Sequence, residues 1–321
     1  GNTGKTMHIN CPFCGEGKRR LYLYPDTEQY HCFHCGAHGN AVSLYARRTG
    51  LSYASAYHEL EADRMLHFPL PNVPKTPERE PASIEKRDAV YRAMLQLLPL
   101  SAEHHQNLLH RGLSEQKIRG NSYRTLADGK ELRDSIAAQL SGRFDLNGIP
   151  GFYFRDGSWR LCAYSGLLIP VRDADGRMQG IQIRRDSAER MKYVWLSGAG
   201  RPCGTPARSW VHVTGNRAKA TAVITEGPLK GDAASALSGD TLFLCVPGVS
   251  AIKYLPETLK NLHLTAVYEA FDMDKLRNPQ VVAARKRLRQ MIADCGLPCR
   301  TLLWNETCNG IDDYLAAQKI C

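Results

Sequence analysis

The chain of 321 residues is long enough for about two domains, and with 43% hydrophobic and 23% charged residues it can bury a true core. It has no run near the roughly 18 consecutive apolar residues that a membrane-spanning helix needs, and Gly1 to Asn10 hold no apolar stretch of the secretory kind. Lys and Arg number 42 against 32 Asp and Glu, and the resulting net charge of +10 suits a polyanionic partner such as nucleic acid. The expectation is a cytoplasmic protein whose 11 cysteines are reduced thiols or metal ligands rather than disulfides.

Residues 1–67 carry the strongest local pattern. Cys11-Pro-Phe-Cys14 is followed, after 17 residues, by Cys32-Phe-His-Cys35. Two such knuckles offer four soft thiolates that can close a tetrahedral Zn²⁺ site with no open position, so the metal is expected to hold the fold and do no chemistry. Gly15 and Gly36 let the backbone turn back after each pair, and His31, His34 and His38 lie close by as alternative ligands or outer neighbours. Arg20 to Tyr24 and Gln29 to Phe33 alternate like two strands joined by the Pro25-Asp26 turn, which describes a zinc ribbon. Lys18, Arg19, Arg20, Tyr22, Tyr24, Tyr30 and Phe33 are candidates for single-stranded nucleic acid, with rings for bases and cations for phosphates. Some of these rings are equally able to cover the metal.

Residues 68–84 include five prolines and read as an extended, semi-rigid tether. From Ile84 to Leu140 apolar residues recur at helical spacing, and from Gly148 to Val213 the pattern becomes β-like. Asp173-Ala-Asp-Gly176 predicts a hairpin between Leu167–Val171 and Gln179–Arg184. From Thr221 strands alternate with helices: strands at Ala222–Thr225, Thr241–Val246, Leu264–Phe271 and Cys299–Trp304, with a basic amphipathic helix at Val281–Ala293. This rhythm predicts a mostly parallel, layered α/β domain. Cys295, Cys299 and Cys308 are expected to be buried free thiols rather than a second metal site.

The ends of these strands are acidic. Thr225-Glu226-Gly227 closes the first, Phe271-Asp272-Met-Asp274 follows the third after 46 further residues, and Asp312-Asp313 lies near the end of the chain. Carboxylates gathered at one sheet edge repel one another unless cations neutralise them, so Glu226, Asp272, Asp274 and Asp312 form a candidate Mg²⁺ or Mn²⁺ site for phosphate chemistry.

Taken together, the Cys11-Pro-Phe-Cys14 and Tyr30-His-Cys-Phe-His-Cys-Gly-Ala-His-Gly39 motifs resemble the zinc-binding domain of bacterial DnaG-type primases. The Glu226-Gly, Asp272-x-Asp274, Asp312-Asp313 series is similar to the Toprim fold of the same enzymes. Gly166 to Arg177, Gln179 to Arg184 and Met191 to Ser197 resemble their basic subdomain. The resemblance implies a zinc ribbon (1–67), a linker (68–84), a basic α+β subdomain (85–215) and a Toprim subdomain (216–321). It also implies a primase that makes short RNA primers on single-stranded DNA by two-metal nucleotidyl transfer, with nucleoside triphosphates as substrates and a replicative helicase as a further partner. Glu226, Asp272 and Asp274 would be catalytic, Asp312 would support a second metal, and Arg184, Lys192, Lys230 and Arg172 would bind nucleotide or template, with Arg177 a weaker candidate.

The sequence departs from the family in three places. Cys14 stands where cellular enzymes commonly have His. Lys230 stands where an acid is usual, which leaves Asp232 to replace that acid or Lys230 to touch a phosphate; Glu-x-Pro-x-Lys is closer to type IA topoisomerases. A helicase-docking domain is missing from the sequence, which suggests a phage, plasmid or mobile-element enzyme, or a fragment. The alternatives are a Toprim nuclease or strand-cleaving enzyme, and a non-catalytic recombination or replication accessory protein resembling RecR.

Overall fold

The computed structural model describes residues 6–25, 28–66, 79–187, 191–248, 251–273, 279–305 and 307–318. Two compact units, Gly1–Thr76 and Pro77–Cys321, are each considered alone.

In the first unit, β1 (Met7–Ile9), β2 (Leu21–Tyr24), β3 (Gln29–Cys32) and β4 (His38–Asn40) form one antiparallel sheet in sequential order. Alternation along β2 and β3 sends Leu21, Leu23, Tyr30 and Cys32 to one face, which Cys11, Phe13 and Leu44 close into a small core. Helix α1 (Ala41–Thr49) begins at a capping box between Asn40 and Ser43 and stops at Gly50, whose φ of 76° suits glycine; α2 (Tyr53–Leu66) follows.

The second unit opens with α3 (Ile84–Gln96), α4 (Ala102–His110), α5 (Glu115–Asn121), β5 (Arg124–Leu126) and α6 (Lys130–Ser141). The first three of these helices are N-capped by Ser83, Ser101 and Ser114. A hairpin of β6 (Phe152–Arg155) and β7 (Ser158–Leu161) precedes β8 (Gly166–Arg172), β9 (Met178–Arg185) and β10 (Tyr193–Trp195), and these three pair with β5 in the order β10-β9-β8-β5. The β8–β9 hairpin turns at Asp173–Gly176, as the turn chemistry predicts. Leu168, Ile181 and Ile183 face α3 and α6, while Leu167 and Ile169 face α4, α5 and Leu229.

The remainder builds a five-stranded sheet from β11 (His212–Thr214), β12 (Thr221–Glu226), β13 (Phe243–Val246), β14 (Ala266–Glu269) and β15 (Cys299–Thr301). Its order is β11-β13-β12-β14-β15, parallel except for β11. Helices α7 (Pro228–Leu237) and α10 (Ile311–Gln318) cover one face, and α8 (Leu255–Lys260) and α9 (Pro279–Asp294) the other. The alternating central strand explains this: Ala222 and Ile224 enter the α8–α9 core, and Val223 enters the α7–α10 core. The architecture is the expected one, a zinc-ribbon unit and, in the second unit, an α+β subdomain with a mostly parallel sheet.

Three expectations about organisation need revision. The tether spans 68–84, and its residues 68–78 lie outside the described residues. From Arg79 the chain is already laid on the second unit: Arg79 donates to Asn147 Oδ1 at 3.0 Å, and the Ala82 N–H donates to the Gly148 carbonyl at 2.8 Å. Strand β11 brings residues before 216 into the last sheet. Finally, β5 interrupts the stretch read as helical, because its three residues complete the edge beside β8.

Candidate functional site

In the ribbon, the four Sγ atoms of Cys11, Cys14, Cys32 and Cys35 lie within 4.8 Å of one another. Cys11 and Cys35 are 3.8 Å apart, and Cys14 and Cys32 are 4.0 Å apart. Four thiolates at a Zn–S distance of about 2.3 Å in a tetrahedron would stand roughly 3.8 Å apart, so the cluster fits Zn²⁺ with at most a small contraction. The turns behind it are the predicted ones: the Gly15 and Gly36 amides donate to the Cys11 and Cys32 carbonyls, with φ of 66° and 72°. The Cys32 thiol is drawn down to about 7, chiefly by the backbone amide of Cys35. This is the one metal-competent cluster among the described residues, and Cys295, Cys299 and Cys308 are half-buried free thiols outside it.

The opposite face of the ribbon sheet carries an aromatic row. Register places His8, Tyr22, His31 and His38 side by side on four strands. His8 and Tyr22 lie 4.1 Å apart between ring centroids, Phe33 stacks on His31 at 4.5 Å, and its edge meets Tyr22 at 4.8 Å. Phe33 is 59% exposed, and Lys18, Arg19 and Arg20, just before β2, are exposed. Tyr30 is a correction. It is 2% exposed, packed against Phe13 on the metal side, and is therefore part of the ribbon core and not a nucleic-acid contact.

In the second unit, β12 ends at Glu226, Gly227 turns with φ 78°, and Pro228 starts α7, so the Glu-Gly-Pro run converts a strand end into a helix start. Parallel pairing sets Ile224 opposite Glu269, so Glu226 and the residues just past β14 emerge at one edge of neighbouring strands about 4.8 Å apart. A cavity of about 350 Å³ opens there. Glu226, Lys230, Asp272, Asn309, Asp312 and Asp313 line it from the sheet side, and Arg111, Gln182 and Tyr193 from the α+β subdomain.

Asp272 is 7% exposed and is ion-paired to Lys230, which therefore faces a carboxylate rather than an open phosphate site. Asp312 opens α10, 7% exposed, with Oδ2 3.4 Å from Arg111 Nη1 and a buried Oδ1 that has no hydrogen-bond partner among the described residues. Burial raises the pKa of this carboxyl. Asp274 lies outside the described residues. Oxygen donors without nitrogen or sulfur suit a hard divalent cation, and the orphaned Asp312 oxygen is available to one. Among the described residues, however, no three carboxylates lie close enough to cage an ion.

The remaining candidates fall in different places. Arg184 shares a face of β9 with Gln182, just outside the cavity lining, and its Nε is buried without a hydrogen-bond partner among the described residues. Lys192 is exposed on the turn before β10, and its neighbour Tyr193 is the residue that reaches the cavity. Arg172 is a correction. Its guanidinium donates to the carbonyls of Gly176, Gly120 and Asn121 and lines a separate hollow with Lys117 and Arg217, so it ties the hairpin tip to the end of α5. Arg177 likewise serves the hairpin, pairing with Asp173, Asp175 and Glu85.

Asp232 does not replace the missing acid. It is buried and accepts from Tyr123 Oη at 2.5 Å, Thr214 Oγ1 at 2.6 Å and His212 Nε2 at 3.1 Å. The Arg172 amide donates to His212 Nδ1, which places the ring proton on Nε2. Burial pushes the Asp232 carboxyl up, but His212 and the two hydroxyls outweigh it and hold the pKa below the usual value. This knot joins β5 and β8 to β11 and α7. Arg111, Gln182 and Asn309 belong to the cavity without having been picked out in the sequence.

Comparison with known proteins finds similar sequences and folds for both units. Residues 2–73 match the CHC2 zinc finger family, and residues 210–320 match a domain of unknown function, DUF3854. The DNA primase of Chlamydia pneumoniae is 27% identical over 203 residues, 60% of this chain and 33% of that protein. The DNA primase of Escherichia coli K12 is 32% identical over 126 residues, 36% of this chain and 21% of that protein. The chain thus spans a third or less of these relatives. The crystal structure of the zinc-binding and RNA polymerase domains of Aquifex aeolicus primase superposes with a TM-score of 0.57 at 17% identity, covering 99% of this chain and 77% of that one. A DnaG primase catalytic domain bound to single-stranded DNA gives 0.52 at 15% identity, covering 72% and 76%. The chain thus has a ribbon that matches the CHC2 zinc finger family, stretches similar in sequence to bacterial DNA primases, and a fold like that of primase zinc-binding and RNA polymerase domains.

Proposed function

We propose that this chain synthesises short RNA primers on single-stranded DNA from nucleoside triphosphates. The observation that carries this reading is the convergence of Glu226 and Asp272 at one sheet edge, facing a polar wall supplied by Gln182 and Tyr193. Glu226, Asp272 and Asp312, with Asp274 on the family pattern, would hold Mg²⁺ or Mn²⁺, which when bound lowers the pKa of an attacking hydroxyl and neutralises charge on the α-phosphate. Burial raises the Asp312 pKa, and Lys230, then more weakly Arg111, partly offset it. Arg184 and Lys192, on either side of Tyr193, would hold the triphosphate or template, and Tyr193, 42% exposed, offers a ring for a base. In the ribbon, Zn²⁺ would fix the sheet so that Tyr22, His31 and Phe33 present a stacking surface, with Lys18, Arg19 and Arg20 just before β2. A replicative helicase is a further partner on this reading, and no described helix is long and apolar enough to cross a membrane.

The assay is incubation with single-stranded template, Mg²⁺ or Mn²⁺ and labelled nucleotides. Products that need all four nucleoside triphosphates and a template support primer synthesis. The Lys230–Asp272 pair favours one competing reading, a metal-dependent nuclease closer to the Glu-x-Pro-x-Lys pattern. Cleavage of the same DNA without nucleotides would identify it.

A further inference from the structure

We propose that the Lys230 ammonium is a built-in cation that takes the place of one divalent ion, so that the acidic hollow binds a single divalent ion per chain. This rests on the reading of the hollow as a metal-dependent site and goes beyond it, because two-metal chemistry needs two divalent ions there.

The argument starts from the helix. Pro228 is the first residue of α7, so Lys230 sits in its first turn, where the helix dipole disfavours a positive charge and no acidic residue of that turn offsets it. The charge is balanced instead across the hollow by Asp272, with both side chains largely buried. A second neighbour fixes the far end of the chain. Gly310 lies beneath it, and a side chain there would come within 3.3 Å of Lys230 Nζ and 2.5 Å of Asp312 Oδ1. The ammonium is thus lodged between Asp272 and the Asp312 turn, where a divalent ion bridging those two carboxylates would have to stand. Two cations cannot share that space, because at such separations their repulsion is large in a partly buried site. Glu226 and the orphaned Asp312 oxygen line the rest of the hollow, where the single ion would sit.

The test counts ions directly. The zinc-loaded 321-residue chain is titrated with Mn²⁺, and the paramagnetic resonance signal of free Mn²⁺ gives the number bound. The expected result is one Mn²⁺ for the unaltered chain and two for Lys230→Asp, which replaces the cation by a ligand. Two ions on the unaltered chain, or no gain in Lys230→Asp, overturns the proposal and leaves the metal-dependent reading intact. No bound ion at all removes both. If Lys230→Asp does not fold, Lys230→Met decides. Freed of its ammonium, Asp272 should let the one Mn²⁺ bind roughly tenfold more tightly, and unchanged or weaker binding overturns the proposal.

Discussion

Replacing Asp232 separates a structural carboxylate from a catalytic one. In Asp232→Ala the hydroxyl of Tyr123, the hydroxyl of Thr214 and the Nε2–H of His212 lose their shared acceptor. Each buried donor left unsatisfied costs about 1–3 kcal/mol, and the three together, since the hydroxyls can turn to other acceptors, about 3–5 kcal/mol. Because the costs overlap, the second figure is the better guide. For a unit of this size each kcal/mol is about 2–4 °C, so the second unit should melt roughly 6–20 °C lower. The sign with pH follows from the lowered pKa. The stabilisation is present above the usual carboxylate value of 3.8 and fades as pH falls through the lower folded value, so the difference in melting temperature should narrow in strong acid. Circular dichroism melts at neutral and acid pH measure both effects. An Asp232→Asn chain that melts like the unaltered protein yet loses Mn²⁺ would refute this reasoning and return Asp232 to the metal site.

Other expectations follow from particular contacts. Chelation of Zn²⁺ should unfold the ribbon and leave the second unit's melt unchanged, since a structural zinc contributes about 10–16 kcal/mol to its own domain; circular dichroism before and after zinc is restored checks this. Phe33→Ala should weaken single-stranded DNA binding by about 1–3 kcal/mol in fluorescence anisotropy. Tyr30→Ala should instead loosen the ribbon by about 3–5 kcal/mol through its emptied core. Gly231→Ala should destabilise the second unit in thermal melts by about 1–3 kcal/mol, because a side chain there has no room against Cys245 and would push α7 off β13.

Much of this molecule was legible from sequence because its signals are local. The cysteine spacing, the Asp173–Gly176 turn and the alternating strands and helices after Thr221 each state their structure within a short window. Strand parity also held the answer for Tyr30, which lies two residues before the ligand Cys32 and so shares its face. Helical geometry did the same for Asp232. Two residues along a helix turn about 200°, so a Lys230 that faces the hollow sends Asp232 to the opposite side. What was not legible depends on distant segments meeting. Nothing near Arg111 or Gln182 marks them as cavity residues, because they arrive there by the packing of Leu167, Ile169 and Leu229 across the subdomain junction. Strand β5 has only three residues, and its pairing with β8 outweighed the helical texture around it.

The central claim is that Glu226 and Asp272 together make the reacting centre for nucleotide polymerisation. The most direct measurement is primer synthesis by Glu226→Gln and Asp272→Asn on single-stranded template, beside their thermal melts and DNA affinity. The account predicts that both variants fold and bind DNA yet make no product. A folded variant that still extends primers at the unaltered rate would contradict it.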